Sequence, residues 1–179
     1  MNQVDLHAAS VTWDGETLSL STGQVQRTWK LTARGLATAS LTEEASRAKW
    51  VHREVAEDDC DWYVFTLLPA GARGELVAVE INAVTDEPFT SDHVEAAFEF
   101  HYAETSLAVR YWVWAYPDAP GLRTQIGLKA LQPFQPEQLP GYVGGSYAER
   151  LPLDPRPCER IAAGYYNDPQ HRNRDDAPI

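Results

Sequence analysis

The chain of 179 residues is poor in several things, and each shortage removes a class of protein. Its two cysteines, Cys60 and Cys158, lie far apart and match no paired-ligand spacing, so the sequence writes neither a disulfide framework nor a zinc ribbon. They leave the expectation of two free thiols in a cytoplasmic protein, or a secreted one if a signal peptide was removed. No stretch approaches the roughly 20 apolar residues of a membrane helix. Met1 to Ser10 lacks the basic start and apolar run of a secretory leader. Cations are also scarce: 15 Lys+Arg face 26 Asp+Glu, for a formal charge of −11. That balance argues against a general electrostatic grip on nucleic acid or on an anionic membrane. The length falls short of the roughly 250 residues of a complete (β/α)8 barrel.

Chemical motifs are equally thin. There is no Gly-x-Ser-x-Gly elbow, phosphate loop or dinucleotide glycine pattern, so no catalytic nucleophile and no cofactor is expected. His7, His52, His93, His101 and His171 stand outside any His-x-His or His-x-x-x-His spacing, and they read as surface or hydrogen-bonded histidines. Glu57-Asp58-Asp59 with Asp61 lacks the alternating ligands and turn glycine of a calcium loop, and reads as a solvated acidic turn. The expectation is therefore no metal ligand and no catalytic residue.

What is present is aromatic and strand-like. Six Trp, eight Tyr and five Phe sit in a chain that is 44% apolar and 23% charged, an ordinary balance for a globular domain. Residues 25 to 31, Val-Gln-Arg-Thr-Trp-Lys-Leu, alternate as a half-buried strand should. Ser21-Thr22-Gly23 supplies the turn before it, and Trp13-Asp14-Gly15-Glu16 reads as an Asp-Gly hairpin turn. Further strands are expected over Ala37–Leu41, Trp62–Leu68, Leu76–Val84 and Leu122–Lys129. The strongest pair places Val94, Ala96, Phe98, Phe100 and Tyr102 on one face, then Leu107, Val109, Tyr111, Val113 and Ala115 on one face of the next strand. The opposite face of that second strand carries Arg110, Trp112 and Trp114, which predicts a strand covered on both sides. Helix signals are confined to Thr42–Lys49, which could make two helical turns or a surface loop.

Composition shifts after residue 131. Eight of the twelve prolines lie in the last 48 residues, beside Phe134, Tyr142, Tyr147, Tyr165 and Tyr166. Proline cannot donate to a β-ladder, and aromatics at this density pack against something. The expected organisation is an all-β sandwich of antiparallel strands over residues 1–131 and an extended Pro/Tyr-rich strap over 132–179.

Trp112 and Trp114 with Arg110 beside them carry two readings. Aromatic faces next to a cation form the usual surface for stacking a sugar ring and hydrogen-bonding its hydroxyls. Packing between two sheets also favours tryptophan.

Three segments carry a resemblance. Residues 24–31, Gln-Val-Gln-Arg-Thr-Trp-Lys-Leu, followed by Leu36-Ala37-Thr38-Ala39-Ser40-Leu41, resemble the opening of the N-terminal β-supersandwich of glycoside hydrolase family 36-like α-galactosidases. Tyr116-Pro117 with Pro120-Gly121-Leu122-Arg123-Thr124 is similar to a Pro-Gly-Ile-Arg-Thr-type strand start in the same domain. Ala163 to Asn173, with Gly164-Tyr165-Tyr166-Asn167-Asp168-Pro169 at its heart, resembles the linker entering the catalytic barrel. The resemblance implies a non-catalytic N-terminal module that packs on a barrel of the same polypeptide, with possible homo-oligomerisation and contact with carbohydrate. The family's two catalytic Asp lie on barrel strands, and this chain stops at Ile179, where a barrel would begin; no catalytic residue transfers. The substrate-contacting tryptophan motif of typical members does not align, so the resemblance implies the domain type and no galactoside specificity. It adds Tyr165, Tyr166, Asn167, Asp168 and His171 to the carbohydrate-contact candidates Trp112, Trp114 and Arg110. The alternatives are a free-standing carbohydrate-binding β-sandwich and, further off, an aldose 1-epimerase-like enzyme, which would call on His93, His101 and Glu99 as acid and base.

Overall fold

Local turn chemistry sets the first half of the fold. Asp14 turns the chain by accepting the Glu16 and Thr17 amides on Oδ1 at 2.9 and 2.7 Å, with Gly15 at φ +104°. Thr22 Oγ1 accepts the Gln24 and Val25 amides and donates to Ala119 O at 2.7 Å, so one turn also ties down a distant one. In the computed structural model, which describes residues 2–64, 68–69, 71–85, 90–133 and 147–153, such turns link a six-stranded antiparallel meander. Its strands are β1 (Asn2–Leu6), β2 (Ala9–Trp13), β3 (Thr17–Ser21), β4 (Val25–Leu31), β5 (Leu36–Glu43) and β6 (Lys49–His52), in that spatial order.

A second antiparallel sheet follows from β8 (Glu75–Val84), β9 (His93–Tyr102), β10 (Leu107–Ala115) and β11 (Arg123–Ala130), in the order β11-β10-β9-β8. The ten residues of β9 and nine of β10 form the long hairpin that their alternation predicts, with Tyr111 opposite Phe98 and Trp112 opposite Ala97. A short ribbon, β7 (Trp62–Val64) with β12 (Tyr147–Glu149), completes the described structure.

The two large sheets pack face to face as a β-sandwich. Val11, Trp13, Leu18, Leu20 and Trp29 meet Phe98, Phe100, Tyr111 and Val113 between them. Trp13 stands edge-on to Phe98 at 5.0 Å, and Trp62 lies 5.2 and 5.3 Å from Phe100 and Tyr111. Each such side chain contributes on the order of 1.5–3 kcal/mol when fully buried, so this seam carries the stability of the fold. Trp62 also presses on Gly35 so closely that a β-carbon there would overlap its ring, and donates Nε1 to Tyr102 Oη at 2.9 Å.

Three sequence expectations change, and one open pair is decided. Of the two readings of Thr42–Lys49, the surface loop holds: β5 runs on to Glu43, an exposed turn follows, and β6 begins at Lys49, because Ala45 and Ala48 offer too little apolar surface to hold a helix. Trp62–Leu68 is a strand only to Val64. The strand β10 is interior to its sheet but covered by the sandwich on one face only. Asp61 does not belong to a solvated turn; it is buried. No α-helix is present among the described residues, and none there is long and apolar enough to cross a membrane. Of the expected strap, residues 132–133 and 147–153 are described.

Candidate functional site

The outward face of the β8–β11 sheet collects the surface chemistry that the sequence singled out. In β10 the inward set, Val109, Tyr111, Val113 and Ala115, is fully buried, while Arg110, Trp112 and Trp114 on the other side are half-buried. These tryptophans are therefore surface residues, and the reading that packs them between two sheets is corrected. The reason is that, among the described residues, the inner face of the β1–β6 sheet and the β7–β12 ribbon pack on this sheet from its opposite side.

Register decides which neighbours join them. Directly opposed residues of antiparallel strands share a face, so Trp114 is flanked by Glu95 on β9 and Arg123 on β11, and Arg110 by Glu99 and Gly127. Trp114 Nε1 donates to Glu95 Oε2 at 3.1 Å, and the Arg123 guanidinium carbon stands 4.8 Å from the centre of its ring. Arg110 covers Trp112 at 5.1 Å and reaches Glu80 Oε2 on β8 at 2.8 Å, the small Ala97 lying between Trp112 and Glu80 in the register. Such cation–aromatic contacts contribute about 0.5–1 kcal/mol at exposed sites.

The two tryptophans consequently differ. Trp114 is held through both its N–H and its ring. Trp112 Nε1 has no hydrogen-bond partner among the described residues, and its ring leans over Gly127, where a β-carbon would stand 2.7 Å from Cζ3. Glycine inside a strand often marks such a close approach. A depression of about 250 Å³ opens beside the ring, lined by Glu99, Ala108, Arg110, Trp112, Gly127 and Lys129. Its floor is small side chains, its wall one indole, its rim two cations and a carboxylate. That combination can hold a small polar ring against an apolar plane.

The other histidine and carboxylate candidates do not converge. His93 is buried against Tyr116 and bonds Ser91 O at 2.8 Å, whereas His101 pairs with Glu99 at 2.8 Å. They sit eight residues apart on one strand, about 27 Å at roughly 3.4 Å per residue. His7 and His52 are exposed, and among the described residues no group of three or more His, Cys, Asp or Glu is placed to hold a metal. Asp59 pairs with Arg53 at 2.7 Å, and Glu57 lies 3.6 Å from Arg73. Tyr165, Tyr166, Asn167, Asp168, His171 and Cys158 lie outside the described residues.

A buried polar cluster is the feature that strand-by-strand reading misses. The alternation Val25, Arg27, Trp29 carries Arg27 inward, where its guanidinium covers the Trp29 ring at 4.5 Å. Arg27 donates to Thr38 Oγ1 at 2.9 and 2.8 Å, to Asp61 Oδ2 at 2.9 Å and to Glu149 Oε1 at 2.7 Å. Thr38 returns its amide to Asp61 Oδ1 at 2.9 Å and its hydroxyl to Asp61 Oδ2 at 2.5 Å. Tyr111 donates to Glu149 Oε1 at 2.8 Å, and Thr124 to Glu149 Oε2. Burial raises the Asp61 carboxyl above its ordinary pKa, opposed by the Thr38 bonds and the charge of Arg27. Burial alone would loosen the Arg27 proton, but Tyr111, Glu149 and Asp61 outweigh it and keep the guanidinium charged. Every carboxylate oxygen accepts at least one hydrogen bond, and the cluster acts as a clamp joining β12 to both sheets. Comparison with protein-family models, with curated proteins and with solved structures finds no match to this chain, so the outward face of the β8–β11 sheet stands as the candidate site on its own geometry.

Proposed function

We propose that this chain is a non-catalytic β-sandwich module of a carbohydrate-handling protein, and that it contacts sugar at the depression beside Trp112. One observation carries the reading: Trp112 presents an indole, its N–H without a partner among the described residues, at the wall of a surface depression whose floor is Gly127 and Ala108. A pyranose ring stacks its C–H face on an indole and offers hydroxyls to neighbouring charged side chains, here Arg110, Glu99 and Lys129. The depression lies just below the roughly 300 Å³ at which drug-sized pockets begin, which suits one sugar unit of a longer glycan. The module reading also draws on the family 36-like segments, which make a catalytic barrel of the same polypeptide its proposed neighbour.

Calorimetric titration of a panel of oligosaccharides tests the proposal. Binding is expected for at least one glycan and is expected to disappear in Trp112→Ala. Trp114→Ala should weaken it less, because the Trp114 N–H is already engaged by Glu95 and the ring does not line the depression. Absence of binding across neutral and acidic glycans alike would overturn it.

A further inference from the structure

Charge on the outward sheet face is segregated by strand. Strands β8 and β9 carry the carboxylates Glu75, Glu80, Glu95 and Glu99 and no Lys or Arg. Strands β10 and β11 carry Arg110, Arg123 and Lys129 and no carboxylate, in a chain of net charge −11. The acidic half is largely occupied from within. Glu80 takes Arg110 at 2.8 Å, Glu99 takes His101 at 2.8 Å, and Glu95 takes the Trp114 N–H at 3.1 Å. On the basic half, Lys129 has no ion-pair partner among the described residues and stands exposed at the rim of the depression beside Trp112. An ammonium with no ion-pair partner among the described residues stands at the edge of a sugar-sized hollow, and Glu99 on the same lining is hydrogen-bonded to His101. The ammonium is therefore the group placed to meet a ligand that brings its own negative charge.

We infer that the depression beside Trp112 selects an acidic saccharide, a uronic acid unit whose ring lies against Trp112 and whose carboxylate meets Lys129. The inference rests on the carbohydrate reading above and names its ligand class. One point charge, unpaired among the described residues, matches one carboxylate per sugar unit, whereas a densely sulfated chain would call for a longer run of cations than the three that β10 and β11 supply. The field of an acidic chain repels anions at long range and is screened beyond about 8–10 Å at ordinary ionic strength. Any preference for an acidic ligand must therefore arise locally, at these side chains.

The test is calorimetry of the full chain with an oligouronide and with its carboxyl-reduced, neutral counterpart of equal length. The oligouronide is expected to bind about tenfold more tightly, and the advantage should shrink as salt is added. In Lys129→Gln the affinity for the oligouronide should fall to near that of the neutral ligand. Lys30→Gln, an equal change of net charge on the other sheet, should keep the preference; Lys30 is exposed and its ammonium bonds Thr17 Oγ1. Equal affinity for both ligands in the unaltered protein would overturn this inference and leave the sugar site standing. A preference surviving Lys129→Gln, or lost equally in Lys30→Gln, would also overturn it. No binding of either ligand would overturn this inference, and the sugar site itself would fall only with the whole glycan panel.

Discussion

Replacing Arg27 by Met isolates the energetic role of the buried clamp. Methionine keeps an unbranched apolar stem against Trp29 but removes four hydrogen bonds, two to Thr38 and one each to Asp61 and Glu149. The two carboxylates left behind are not equivalent. The Asp61 side chain is 1% exposed and Glu149 is 19% exposed, so Glu149 can turn toward water while Asp61 stays stranded. Breaking a buried ion pair by deleting one partner costs about 3–5 kcal/mol, mostly because the remaining charge is uncompensated. Against a total stability of roughly 5–15 kcal/mol for a domain, that is a large fraction. With a urea slope of about 2 kcal/mol per molar, the midpoint of unfolding should fall by about 1.5–2.5 M. Removing the stranded charge as well, in Arg27→Met with Asp61→Asn, should recover part of the loss.

The same reasoning fixes the sign of the pH effect. Burial already raises the Asp61 carboxyl, and losing Arg27 removes one of the interactions that hold it down. A carboxyl raised in the folded state stabilises it below the unfolded value, and that contribution is lost as pH rises through the folded value. The Arg27→Met penalty should accordingly be largest near neutrality and shrink on acidification. A loss below about 1 kcal/mol in urea titration, or a penalty that grows as pH falls, would refute the clamp as an energetic unit.

Other positions give sharper local tests. Gly35→Ala should cost about 1–3 kcal/mol, measured by thermal unfolding, because the new methyl overlaps the Trp62 ring and the residue holds φ +150°. Burial pushes the Cys60 thiol up to about 12, so it should resist alkylation at pH 8 in the folded protein and react fully in denaturant. Gly127→Val should displace the Trp112 indole from β11 and shift its fluorescence, with only a modest change in unfolding temperature because the site faces outward. Tyr111→Phe removes one donor from Glu149 and should cost about 1–2 kcal/mol, less than Arg27→Met because no charge is stranded.

Much of the fold is legible where local pattern and tertiary demand agree. The alternation of 25–31 coincides with β4 residue for residue, and the Asp14-Gly15 turn joins β2 to β3. The edge strand β1 and the short β6 carry little alternation of their own, with only Val4 and Leu6 partly buried in β1, and are recognisable only by the partners they pair with. In the candidate site, Arg110, Trp112 and Trp114 are visible as a stripe, and Gly127 is a strand glycine whose purpose appears once register sets it opposite Arg110 and beneath the indole. Lys129 gives no signal at all until β11 pairs with β10.

By itself the sequence determined the things that depend on near neighbours: an all-β chain, its main hairpin, its turns, and which side of β10 is aromatic and cationic. Period-two alternation and turn residues act within a few positions, and they survive being read in isolation. Which face of β10 meets the other sheet was decided only in three dimensions, because both faces of that strand are rich in large side chains. The same holds for Arg27, whose place in the alternation sets it on an apolar face but whose partners Asp61 and Glu149 come from 34 and 122 positions away. A buried charge is tolerable only when counter-charges and donors converge on it, and convergence belongs to packing.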